Sequence, residues 1–108
     1  MATLTAQATT TAGINPTMVA ADALGDSVAN NGTQIIEITT TTVAVVVTFV
    51  AQGACNHGSL HNVPVTIGTG ATRRIGPFKD TSRWNDTNGK LQWTYDQVVG
   101  VTVGVRTY

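Results

Sequence analysis

At 108 residues the chain is long enough for one domain with one core, and it needs no disulfide or metal to bury roughly 60 to 70% of its unfolded surface. Apolar residues make up 42% and charged residues only 11%, far below the ~25% usual for a soluble monomer, so part of the surface is expected to be covered by a partner. Six basic residues balance six acidic ones, which leaves no basic block for nucleic acid; residues 43–51 are too short for a ~20-residue membrane helix, and a lone cysteine excludes an intrachain disulfide.

Threonine is the commonest residue and valine the second, and both are β-branched types that favour strands. Residues 1–11 are rich in Thr and Ala and nearly free of charge and large apolar groups, so alone they do not offset the entropy of being ordered. Residues 1–12 are therefore read as an extended N-terminal arm, either frayed or adding strand-like hydrogen bonds to a neighbouring subunit, with residues 13–108 as the domain. Met1 is not followed by a basic stretch and an apolar signal segment, so synthesis in the cytosol is expected.

Gly13, Pro16, Gly25 and Asn30-Asn31-Gly32 punctuate the next stretch around a short run at 17–21, read as a strand; a helix over 18–24 competes locally. Residues 33–39 set Ile36 and Ile38 against Thr33, Glu37 and Thr39, with Ile35 breaking the polar face. Residues 43–50 are apolar on both faces, the pattern of a strand covered on both sides, by the domain's own chain or by another subunit. Residues 52–62 form a polar loop. Val63, Val65 and Ile67 then share a face, and Pro64 confines that strand to a sheet edge or stands among the strand's first residues.

A turn at 68–70 precedes a strand at 73–76 that ends at Pro77. Asn88-Gly89 suits a two-residue hairpin turn, with Trp84 facing the strand that carries Leu91, Trp93 and Tyr95. Val99, Val101, Val103 and Val105 alternate with Gly100, Thr102, Gly104 and Arg106 in the last strand, which is expected to pair with the Leu91 strand as a meander. The expected architecture is all-β: a single β-sandwich or jelly-roll-like barrel of about seven or eight short antiparallel strands with an extended N-terminal arm.

No stretch carries a complete catalytic set. Cys55, His57 and His61 lie within seven residues, but Cys-x-His is a poor zinc spacing and a fourth ligand is missing; a Cys55–His57 nucleophile pair lacks an orienting group and an oxyanion site. Asp80, Asn85, Asp86, Asn88 and Gly89 fail as a calcium loop, because aligning Gly89 with its invariant glycine puts Trp84 at the first aspartate and leaves no glutamate at the end. The triplets starting at Asn31 and Asn85 match glycosylation sequons that arise by chance in a threonine-rich chain. No enzyme activity and no cofactor are expected.

The string at 71–78 (ATRRIGPF), Asn85-Asp86 followed by Gly89, and Thr94-Tyr95 followed by Gly100-Val101-Thr102-Val103 form one pattern with residues 13–32, through Pro16-Thr17, Ala20-Ala21-Asp22, Gly25-Asp26 and Asn31-Gly32. This pattern resembles a family of small virion proteins of tailed bacteriophages, and it covers most of the chain. The resemblance implies a capsid decoration or cement protein on the outer surface of the virion, bound to the major capsid protein and homo-oligomeric, a trimer being favoured over a dimer. A fibre, tail or receptor-binding domain that recognises host-surface glycans is the alternative. The residues assigned to partner contacts are Thr3, Leu4, Thr5, Ala6 and Gln7 in the arm, the adjacent Arg73 and Arg74, which a strand directs to opposite faces, and the aromatics Trp84 and Tyr108 if exposed.

Overall fold

The computed structural model describes residues 2–8, 18–53 and 62–107. Their elements are β1 (Ala2–Leu4), β2 (Gln7–Ala8), β3 (Val19–Ala20), β4 (Asp26–Ala29), β5 (Gln34–Thr39), β6 (Val45–Phe49), β7 (Val63–Ile67), β8 (Thr72–Ile75), a one-turn helix α1 (Thr81–Trp84), β9 (Lys90–Tyr95) and β10 (Thr102–Thr107). They form two sheets packed face to face, one in the order β1-β4-β9-β6-β7 and the other β2-β10-β5-β8, with β3 also on β10. The protein is a β-sandwich, as its alternating patterns predict.

The alternation fills the space between the sheets. One sheet contributes Val28, Val45, Val47, Phe49, Ile67, Leu91 and Trp93, the other Ile36, Ile38, Val101, Val103 and Val105, all buried. Phe78 caps this core from the chain between β8 and β9, its ring 4.7 Å from that of Phe49 and 5.2 Å from that of Trp84.

Four expectations are corrected or narrowed. The last two strands do not pair: β9 lies in one sheet and β10 in the other. Two half-apolar strands bury their faces equally well side by side or face to face, and here Trp93 and Val103 meet across the core. The expected arm is the second. Over residues 2–8 it is part of the sandwich, because β1 runs parallel to β4 and β2 parallel to β10, so the segment crosses from one sheet to the other. These two pairs also make the sheets mixed rather than wholly antiparallel, and the short strands β1, β2 and β3 raise the count above eight. Third, among the described residues the domain's own chain covers β6 on one face only, which leaves the other face to the second cover that the pattern allows, another subunit. Val45, Val47 and Phe49 are inside, whereas Val46 and Thr48 are half-buried on the open face of the sheet. Fourth, the turn at Asn88-Gly89 is longer than two residues. Asp86 and Lys90 close it, and among the described residues only glycines take positive φ, so Gly89 at 74° supplies the single left-handed position of a three-residue loop.

The local choices at 18–24 and at Pro64 match the expectation. The 18–24 segment is strand β3 and then a turn in which Gly25 N–H donates to the Asp22 carbonyl at 2.8 Å. Pro64 lies on β7, an outermost strand that needs no donor on its free side.

Gly25 and Gly89 differ in what surrounds them. A Cβ on Gly25 (φ 96°) would stand 2.6 Å from the Trp93 carbonyl, whereas one on Gly89 would meet nothing within 4 Å. Gly25→Ala is expected to lower stability by about 2 to 4 kcal/mol in denaturant unfolding, and Gly89→Ala by about 1 kcal/mol, since only the first adds a backbone clash to the strained φ. Equal losses would show that the approach of Gly25 to β9 is not a constraint.

Candidate functional site

The five arm residues assigned to partner contacts form one side of the sandwich. Ala2 N–H donates to the Gly25 carbonyl at 3.1 Å, which starts β1 along β4. Leu4 and Ala6 turn inward against the core, while Thr3 and Thr5 are exposed. Gln7 pairs with Arg106, so β2 takes the outer edge of β10 at its far end, and β3 takes the same edge at Thr102 and Val103. Between them, the backbone of Gly104 and Val105 floors an open cleft of about 330 Å³ whose walls include Thr3, Leu4, Thr5, Gln7 and Val19.

Arg73 and Arg74 point to opposite faces of β8, as adjacent strand residues must. Arg73 lies opposite Ile38 on the inner face and reaches across the rim, its Nη1 donating to the Thr66 carbonyl of the other sheet at 3.3 Å. Arg74 lies opposite Glu37 on the outer face, its Nε 3.3 Å from Glu37 Oε2; Arg106 of β10 approaches the same oxygen at 2.7 Å. The Arg106 pair carries more weight, since Arg106 is 21% exposed and Arg74 is 65% exposed, where solvent screens most of the attraction. The sequence reading missed both Glu37 and Arg106 as partners. Each sits on the polar side of its own alternation, but nothing local says that β5 and β10 are neighbours.

Trp84 is corrected. It is not an exposed anchor: it is 8% exposed, edge-on to Phe78, with the Arg83 guanidinium 4.5 Å over its ring. Tyr108 and the trio Cys55, His57 and His61 lie outside the described residues. Asp86 is the hub of the hairpin, its carboxylate accepting from Asn88 N–H, Lys90 N–H and Gln92 Nε2, and these donors hold its pKa below the ordinary carboxylate value.

The sequence also gave no warning of Asp26, which shares the inward phase of Val28 on β4 and is fully buried beside Trp93. Trp93 Nε1 donates to the Tyr95 hydroxyl at 2.7 Å, and that hydroxyl donates to Asp26 Oδ2 at 2.6 Å; Asp22 N–H adds a 3.3 Å bond. Among the described residues Asp26 Oδ1 has no partner. Burial pushes the Asp26 carboxyl above its ordinary 3.8, against the pull of Tyr95 and Asp22, and burial with the adjoining carboxylate pushes the Tyr95 hydroxyl far up, so it stays a donor. Asp26 and Trp93 are fully buried and Tyr95 is half-buried, so the cluster ties β4 to β9 inside the sandwich.

The sandwich end beside this cluster carries four connections: residues 21–25, 40–44, 68–71 and 96–101. Hydrogen bonds tie them into one surface: Ala21 N–H to the Val101 carbonyl, Thr40 N–H to that of Ala71, Thr41 Oγ1 to that of Gly100, and Gln97 Nε2 to that of Ala44. On it stand Leu24, 74% exposed, Val99, 66%, and Val43, 43%. Loop ends held by a rigid sheet are where sandwiches commonly place binding residues. Among the described residues no group of three or more His, Cys, Asp or Glu is placed to hold a metal, and no helix is long and apolar enough to cross a membrane. Searches of protein-family models, curated proteins and solved structures find no match to this chain.

A carboxyl whose pKa is higher in the folded state binds its proton more tightly there. That contribution is complete below 3.8 and is lost as pH rises through the folded-state value. Asp26→Asn removes the titration, so the wild-type protein should lose stability relative to this variant as pH rises above 3.8 in paired thermal melts. A difference constant with pH would mean that burial does not penalise the carboxylate. Tyr95→Phe should cost about 1 to 3 kcal/mol, because it strands both the Trp93 N–H and the Asp26 carboxylate.

Proposed function

We propose that this chain is a capsid decoration protein of a tailed bacteriophage: made in the bacterial cytoplasm, it docks on the outer face of the major capsid protein shell and stabilises the assembled head. The observation that carries the reading is the attachment of the N-terminal segment. Its two strands hold to their own domain through three register pairs on β4 and two on β10, all at outermost edges. Such short edge pairs are the kind that a neighbouring subunit's strand edge replaces at little cost, because the main-chain hydrogen bonds lost are remade across the contact.

Thr3, Leu4, Thr5, Ala6 and Gln7 then supply the exchange, and the β10 edge at Gly104 is the place where an extended segment adds to the sandwich. The resemblance to small virion proteins supports the same reading, as does a surface with few charges. Contacts made by backbone and shape suffice on a lattice, where many weak copies add up through avidity.

Three measurements test it. Purified protein added to phage heads that lack it should bind at near parity with the major capsid protein and delay heat disruption; a few copies per particle, confined to a tail or one vertex, would point to a fibre or tail part. Raising salt several-fold should release little protein, as the capsid contact has few charges to screen. Deleting residues 1–11 should abolish protection, and so should Thr3→Pro, which removes one main-chain donor while leaving the core intact. If both variants fold by circular dichroism and protect as well as the full chain, the N-terminal segment only closes its own sandwich.

A further inference from the structure

All six acidic and six basic side chains of the chain fall within the described residues, so its charge map is complete. The map is uneven. The loop end formed by residues 21–25, 40–44, 68–71 and 96–101 holds Asp22 and Asp96 and no Lys or Arg, around exposed Leu24, Val43 and Val99. The side of the sandwich formed by β8 and the outer face of its sheet holds Arg73, Arg74 and Arg106 against the single carboxylate of Glu37.

We infer that these two surfaces are the halves of one contact: the acidic, apolar loop end of one copy docks on the arginine-bearing β8 side of a second copy of this chain. Like-on-like pairing of either surface through a two-fold axis would oppose Asp to Asp or Arg to Arg, which disfavours a symmetric dimer through them. Pairing unlike surfaces removes that conflict and covers three exposed apolar side chains. The β8 strand follows directly on the 68–71 connection, so donor and acceptor surfaces adjoin at a corner of the molecule. Successive copies therefore turn rather than stack in line, which is the condition for a closed ring. Among the described residues, Thr72–Ile75 pairs with β5 and with no second strand, which leaves its other edge to the contact.

The contact does not depend on the capsid reading, since it forms in solution without heads; loss of capsid binding with self-association intact would separate the two. Light scattering behind a sizing column should give a mass several times the 11.3 kDa of one chain, falling as salt rises. Arg73→Glu with Arg74→Glu should weaken association by at least about tenfold, as should Ala23→Lys with Thr42→Lys, which add cations to the loop end at exposed positions and leave the Asp22 and Asp96 caps in place. The four changes together restore opposite signs and should recover association. Leu24→Ser with Val99→Ser should also yield monomer, and these two changes and the two lysines should leave the unfolding midpoint at the wild-type value because all four positions are exposed, whereas Arg74→Glu lowers it by setting a second carboxylate against Glu37. A wild-type monomer at about 1 mM protein, association that survives either charge pair, or failure of the fourfold variant to recover it would each overturn the proposal.

Discussion

The structure depends on the closing of two apolar faces over Trp93. Its indole is fully buried between the sheets, 5.8 Å from the ring of Phe49, and Ile36, Ile38 and Val103 bury themselves against it from the other side. Every other feature follows from keeping that space dry. Phe78 caps one end, the N-terminal segment closes one side through Leu4 and Ala6, and Arg73 bridges the rim on the opposite side.

The indole N–H is also the reason a carboxylate is buried. A tryptophan at the centre of a core needs an acceptor. The Tyr95 hydroxyl accepts from it and donates its own hydrogen bond to Asp26, so three polar groups form a chain instead of three separate losses. The chain ends imperfectly at Asp26 Oδ1, and the raised pKa of this carboxyl is the electrostatic record of that burial. Asp22 N–H, on the exposed turn, links the cluster to the loop end that carries Leu24, so the most buried charge and the most exposed apolar side chain share one short stretch of backbone.

The outer surfaces are economical with charge, and on β5, β8 and β10 the charges are engaged with one another. Glu37 stands on an outward face yet is buried by Arg74 and Arg106, which fixes β5 between β8 and β10. The remaining edges are blunted by Pro64 on β7 and by the adjacent arginines on β8, devices that discourage indiscriminate strand pairing while leaving room for a partner of opposite charge.

Much of this was legible in the sequence. Alternation alone placed the inward residues of β5 and β9 and the inward Val101, Val103 and Val105, Gly25 and Gly89 marked turns, and Pro64 marked an edge, because each of these is dictated within a few residues by side-chain period or backbone sterics. Which strands lie side by side was decided only in three dimensions. The apolar face of β10 could be buried beside β9 or opposite it, and the packing of Trp93 against both sheets selected the second. Residues 2–8, too polar to order alone, became strands because β4 and β10 offered free edges. Nothing along the sequence marked Asp26 as buried or decided whether Trp84 is exposed, since what fills the space around a side chain comes from residues distant in the chain. Period and turn chemistry are local and so can be read along the sequence; pairing, burial and charge partnership are long-range and exist only once the two sheets have closed.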